Sequence, residues 1–183
     1  SASHIALECA LQTQPNICLI SEEIEAKQMT LDDVVNYIAE IVAARAAKGN
    51  NFGTVLIPEG LIEFIPAMKR LIAELNDYLA ANGSEFAMIK KSEQINYIIK
   101  HLSPENSAIY ASLPEGVARQ LTLDRDPHGN VQVSLIETEK LLGEMVGRRL
   151  AEMKAEGKFV GKFATQFHFF GCEGRCADPS NFD

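Results

Sequence analysis

Two short apolar runs, NICLI (16–20) and GTVLI (53–57), constrain this chain more than any other feature. Pro58 breaks the second one. Between them lies a segment with helical period. Thr30 and Asp33 have the spacing of a capping box, and Asp32 and Asp33 suit the positive end of a helix dipole. Leu31, Val34, Val35, Ile38, Ile41 and Val42 recur at helical spacing. Arg45 and Lys48 fall in the last turn, and Gly49 stops the helix. Fully apolar strands alternating with helices belong to a parallel sheet covered on both faces. The expected fold class is therefore α/β, with a parallel sheet at its core.

The segments around this unit are mostly helical. ASHIALECALQ reads as a helix and SEEIEAKQM as a polar connection. A helix is expected over 61–81, with Ile65, Met68, Ile72, Leu75 and Leu79 on one stripe. Further helices are expected over 92–102, 104–113 and 116–121, before the turn DRDPHGN (124–130). Ser134 and Glu137 have capping-box spacing. The helix behind them carries Leu135, Leu142, Met145, Val146, Leu150 and Met153, and Gly157 ends it. FATQFHFF (163–170) alternates as a last strand, with Phe163, Thr165, Phe167 and Phe169 on one face and Ala164, Gln166, His168 and Phe170 on the other. A βαβ crossover needs only about a dozen residues, so the stretch between the second and third strands reads as a large helical insertion. The chain divides into a first α/β part (1–60), the insertion (61–160), and a return strand with its turn (161–183).

Composition excludes some classes of function. With 46% apolar residues, the 183-residue chain has enough for a sizeable core. A net charge of -8 argues against non-specific nucleic-acid binding. One local arginine can still hold a small anion. No apolar run approaches membrane-spanning length, about 18 residues. Of the four cysteines, Cys9 and Cys18 read as small core residues. Cys172 and Cys176 lack the second pair that a zinc site requires. A reduced, cytoplasmic protein is the plain reading.

Two places qualify as binding sites. In open α/β sheets, ligands bind beyond the carboxyl ends of strands. IPEG (57–60) puts Glu59 there, able to accept hydrogen bonds from sugar hydroxyls, or simply to face solvent. CEGR (172–175) puts Arg175 beyond the last strand, as a fork for a phosphate or as a surface partner of Glu173. Gly171 and Gly174 let backbone amides approach the same anion. His168, among phenylalanines, reads as a packed residue. SHIAL has no third partner for a hydrolase triad and there is no Gly-x-Ser-x-Gly elbow, Walker loop or GxGxxG.

Four segments in this order resemble the long-chain pyrophosphate-dependent phosphofructokinases: SASHIALECALQTQPNICLI, LIPEGLIEFIP, SLPEGVARQLTLDRDPHGNVQVSLIETEKLL and FHFFGCEGRCADPSNFD. The resemblance spans essentially the whole chain. It implies a three-layer, Rossmann-like domain of the phosphofructokinase fold. It also implies transfer of phosphate from pyrophosphate, with magnesium, to the 1-hydroxyl of fructose 6-phosphate in glycolysis. Within it, Glu59 matches the glutamate that holds the sugar. Cys172, Glu173, Gly174 and Arg175 match the substrate turn, and Arg175 matches its arginine. The family's donor-binding glycines, magnesium site and aspartate base are not in this sequence, and its Met-Gly-Arg motif falls just before Ser1. The chain is thus expected to be chiefly the sugar-phosphate half, inactive by itself, with the Mg2+ site elsewhere. A homo-oligomer or a two-subunit assembly is implied.

Cys172 stands where the family has tyrosine, and a thiol is a smaller, weaker donor. Gln166 falls, more loosely, where ATP-using relatives carry a phosphate-binding arginine. Two other readings stay open: a non-catalytic regulatory subunit of the same fold, and an unrelated helical interaction module on an α/β core.

Overall fold

The computed structural model of the chain describes residues 3–123, 130, 131, 133 and 136–171. In chain order the elements are α1 (His4–Thr13), β1 (Ile17–Cys18), α2 (Ser21–Ala26), α3 (Leu31–Ala47), β2 (Val55–Leu56), a 3-10 turn (Leu61–Phe64), α4 (Pro66–Met88), α5 (Gln94–His101), α6 (Pro104–Ser112), α7 (Glu115–Leu123) and α8 (Thr138–Ala155). The strands expected at 16–20 and 53–57 pair in parallel, with Ile17 opposite Val55 and Cys18 opposite Leu56. The Leu19 amide continues the ladder to the Leu56 carbonyl at 3.0 Å. The described chain is thus helix-rich with a small parallel sheet, which is compatible with an α/β fold.

Local chemistry explains the helix between the strands. The Asp33 amide donates to Thr30 Oγ1 at 3.1 Å, and the Thr30 amide donates to Asp33 Oδ2 at 2.8 Å, which completes the capping box. Gly49, at φ +80°, turns the chain out of α3. α3 buries Val34, Val35, Ile38 and Ala39 and packs on α8, where Arg149 Nε donates to Asn36 Oδ1 at 2.9 Å. The core continues through α4, whose Met68, Leu71 and Leu75 are fully buried against the 3-10 turn and α6.

Several expectations need correction. The connection SEEIEAKQM contains the helix α2, in which Ile24 is buried. Six residues are too few for a period to show. The helix expected over 61–81 is a 3-10 turn followed by α4, because Pro66 opens a new helix at its first position. α4 passes 81 with a kink at Asn82 (φ -125°), before Gly83. Ser134 lies outside the described residues, and α8 begins only at Thr138. The expected capping box therefore rests on a residue outside the described ones; the Glu137 carboxylate accepts from Gln120 and from Lys140. The turn DRDPHGN has only Asn130 among the described residues. Cys9 and Cys18 are half-buried. Burial, with the nearby Cys9 thiol, pushes the Cys18 thiol up, away from the reactive thiolate.

The last strand differs most. Residues 162–170 form no ladder among the described residues, where the sheet has two strands. They lie instead along α8. A Cβ built on Gly147 would lie 3.5 Å from Phe163 Cδ1, and one on Gly143 would lie 2.6 Å from Phe167 Cζ and 3.4 Å from Thr165 Cγ2. The alternation placed Phe163, Thr165 and Phe167 on one face, and that face meets α8. Period two groups these side chains on one face but does not say whether a strand or a helix meets it; only Phe163 there is half-buried.

Candidate functional site

The carboxyl ends of β1 and β2 lie side by side because the strands are parallel and in register. β2 leads through buried Pro58 into exposed Glu59 and then Gly60. Gly60 has φ +75°, a left-handed conformation that only glycine adopts at low cost. The Leu61 amide reaches back to the Pro58 carbonyl at 3.3 Å, and the Glu63 amide to Gly60 at 3.0 Å. This tight turn fixes where the Glu59 backbone leaves the sheet. A Cβ at Gly60 would meet nothing nearer than Glu63 Oε2 at 4.0 Å, so the glycine serves conformation rather than close packing.

Beyond β1 the edge holds a clasp that the sequence reading missed. Ser3 is 2% exposed, and its Oγ accepts the Ser21 amide at 2.7 Å. The Ser3 amide points at Glu22 Oε1, 3.5 Å away. The start of α1 is thereby tied to the carboxyl end of β1. Its one sequence signal was the position of Ser21 at a strand end, where the polar run was taken for a plain connection. Beside the edge, Glu25, Glu63, Phe64, Lys69 and Ile72 line a cleft of about 270 Å³. Lys69 pairs with Glu25 at 3.4 Å, and both side chains are substantially exposed, so this pair adds little stability.

Cys172, Glu173, Gly174 and Arg175 lie outside the described residues, as does Cys176. The structure does describe the segment leading to them. It begins beside the loop that follows α3, where a Cβ on Gly161 would lie 3.6 Å from Asn51 Oδ1, and Lys154 Nζ of α8 donates to the Gly161 carbonyl at 3.0 Å. It then runs back along α8, from Gly147 toward Gly143. Gln166 and His168 are exposed on its outer face. His168 is therefore not the packed residue expected, because nothing among the described residues covers that face apart from the Phe170 ring, 6.3 Å away. Phe169 and Phe170 are 70% and 64% exposed.

Among the described residues, no group of three or more His, Cys, Asp or Glu is arranged to hold a metal ion. No helix among them is long and apolar enough to cross a membrane.

Comparison with known proteins gives the chemistry its context. No protein-family model matches the chain. Along its full length it is 68% identical, over 183 residues, to the pyrophosphate–fructose 6-phosphate 1-phosphotransferase of Porphyromonas gingivalis, and covers 33% of that protein. It is 55% identical to the protein of the same name from Treponema pallidum, covering 32% of it. It is 51% identical to the beta subunit of the Solanum tuberosum protein, covering 31% of that one. The resemblance read from the sequence is thus borne out over every part of the chain, which spans about a third of the length of these curated relatives.

Proposed function

We propose that this chain supplies the sugar-phosphate part of a pyrophosphate-dependent 6-phosphofructokinase. The whole protein moves a phosphoryl group from pyrophosphate to the 1-hydroxyl of fructose 6-phosphate, reversibly, giving fructose 1,6-bisphosphate. The observation that carries this reading is the unbroken likeness to proteins named for that reaction. The geometry supports it: a carboxylate, Glu59, sits exposed on a rigid turn at the carboxyl edge of a parallel sheet. The fold proposed is the three-layer phosphofructokinase domain, with 61–160 as its helical insertion and 161–183 as its return segment.

Phosphoryl transfer rests on positioning and charge stabilisation. Glu59 accepts hydrogen bonds from sugar hydroxyls and so orients the acceptor. Arg175 takes the 6-phosphate in its planar fork, which selects a phosphorylated sugar. The amides near Gly171 and Gly174 complete the anion site. Magnesium would neutralise the donor phosphates. The described residues do not fit such an ion, and no step is assigned to it. The protein is proposed to be cytoplasmic and to assemble as a homo-oligomer or from two kinds of subunit. Plant relatives named as alpha and beta subunits support an assembly.

Steady-state kinetics of the full-length protein test this reading, with each substrate varied in turn. Turnover with pyrophosphate and fructose 6-phosphate is the predicted result. Cys172→Tyr restores the family's phenol and should lower KM for fructose 6-phosphate about two- to tenfold, the worth of one neutral hydrogen bond. KM for pyrophosphate should not move. Cys172 is also the feature that favours a regulatory subunit. Tight fructose 6-phosphate binding without turnover in the full-length protein would select that reading instead.

A further inference from the structure

The two paired strands leave the sheet by different routes, and the routes enclose a cleft. β1 leads into α2, and β2 leads through Pro58, Glu59 and Gly60 into the 3-10 turn. α2 and α4 both pack on that turn. The cleft between them is lined by Glu25 of α2, by Glu63 and Phe64 of the 3-10 turn, and by Lys69 and Ile72 of α4. In open α/β sheets a ligand lies in the crevice outside the carboxyl ends of the strands. Pockets for drug-sized ligands span about 300–1,000 Å³, so the 270 Å³ of this cleft suits a single ring.

Glu63 is fixed to the same turn as Glu59. Its amide donates to the Gly60 carbonyl at 3.0 Å, next to the bond from the Leu61 amide to the Pro58 carbonyl. Its carboxylate lies back toward that turn, with Oε2 4.0 Å from where a Cβ on Gly60 would stand. Two exposed carboxylates therefore leave one rigid turn. Phe64 is half-buried beside them and Ile72 is buried, which gives the cleft an apolar wall. Lys69 pairs with Glu25 across 3.4 Å with both side chains well exposed, and such a pair exchanges easily for another partner. Carboxylates accept from sugar hydroxyls, and an ammonium donates to a hydroxyl oxygen. Two acids and one lysine leave the lining with net negative charge, so a phosphate group is turned away from it.

We propose that this cleft seats the sugar ring of the acceptor, with Glu63 as a second hydroxyl-accepting carboxylate beside Glu59, Phe64 against the ring, and the phosphate directed outward. This rests on the reading above, in which Glu59 orients the sugar.

The test uses the full-length protein and three variants: Glu63→Gln, Phe64→Leu and Glu59→Gln. Glutamine keeps the shape of Glu63 but replaces a charge-assisted hydrogen bond by a neutral one, about half as strong. Glu63→Gln is expected to raise KM for fructose 6-phosphate roughly three- to tenfold, to leave KM for pyrophosphate unchanged and, because the side chain is exposed, to leave Tm unchanged. Phe64→Leu keeps an apolar wall without the flat ring and should raise the same KM alone. If Phe64→Leu fails to fold, Glu63→Gln carries the test.

An unchanged fructose 6-phosphate KM in Glu63→Gln, with Glu59→Gln raising it, overturns the cleft as the ring seat and leaves the Glu59 site standing. An equal rise for both substrates also overturns it, because it reports on folding or domain closure. An effect of Glu63→Gln with none from a folded Phe64→Leu removes the sugar from the aromatic wall and overturns the seat. If neither glutamate variant changes anything, the carboxyl edge does not hold the sugar, and the inference falls with that reading.

Discussion

Replacing Gly60 by alanine separates the conformation of the strand-end turn from its packing. Gly60 has φ +75°, and a Cβ there would have Glu63 Oε2 at 4.0 Å as its nearest neighbour. The cost is therefore conformational. Holding an L-residue in the left-handed region costs about 1–2 kcal/mol. The loss of glycine's freedom in the unfolded chain returns about 0.4–1 kcal/mol. The net loss is near 1 kcal/mol, which lowers Tm by about 2–4 °C for a chain of this size. Gly49 supplies the control, with φ +80° and no atom within 4 Å of its Cβ. Gly49→Ala should lose the same stability. Only Gly60→Ala should also weaken fructose 6-phosphate binding in the full-length protein, because only that turn aims Glu59. Asparagine tolerates the left-handed region, so Gly60→Asn should recover part of both losses. Thermal unfolding and titration with fructose 6-phosphate read the two effects separately. A Gly60→Ala protein as stable as its parent would refute the conformational argument. A loss several times that of Gly49→Ala would show that packing had been overlooked.

Thr30→Ala should destabilise the protein by roughly 1 kcal/mol, by removing the cap of α3; urea unfolding measures it. The Thr30 backbone amide, then its hydroxyl, hold the Asp33 carboxyl below its ordinary value. The stability that Asp33 contributes is therefore complete above the usual carboxylate range and is lost as pH falls through the lowered folded value. Asp33→Asn should flatten that part of the acid-unfolding curve. Tyr110 is 1% exposed, and its hydroxyl donates to the Ala118 carbonyl at 2.8 Å. Ala118 lies inside α7 and its carbonyl keeps its helical hydrogen bond, so Tyr110→Phe removes only the second donor and should cost about 0.5–1.5 kcal/mol in urea unfolding. Burial pushes the Tyr110 hydroxyl up to about 12, so the cost should be constant across neutral pH.

The parts of the fold readable from sequence were those with local causes. The α3 cap, its glycine stop and the two apolar strands each follow from a few adjacent residues, and each is found. The parallel pairing followed from the helix between the strands. What could not be read depends on distant partners. The Glu137 carboxylate accepts from Gln120, 17 residues away, which no spacing rule connects to it. Phe163 and Phe167 signalled one shared face, and that face is met by two glycines on α8. At the candidate site, the expected strand end is there, and Glu59 is exposed on the turn that follows it. The clasp of Ser3 on Ser21 joins residues 18 apart and left no local pattern.

The account's central claim is that Glu59 and Arg175 serve one sugar phosphate at the carboxyl edge of the sheet. The most direct measurement is a crystal structure of the full-length protein with fructose 6-phosphate bound. The account predicts the Glu59 carboxylate on a sugar hydroxyl and the Arg175 guanidinium on the 6-phosphate, each at hydrogen-bond distance, about 2.7–3.2 Å. A sugar phosphate bound elsewhere, or Glu59 and Arg175 on opposite edges of the sheet with their side chains pointing apart, would contradict it.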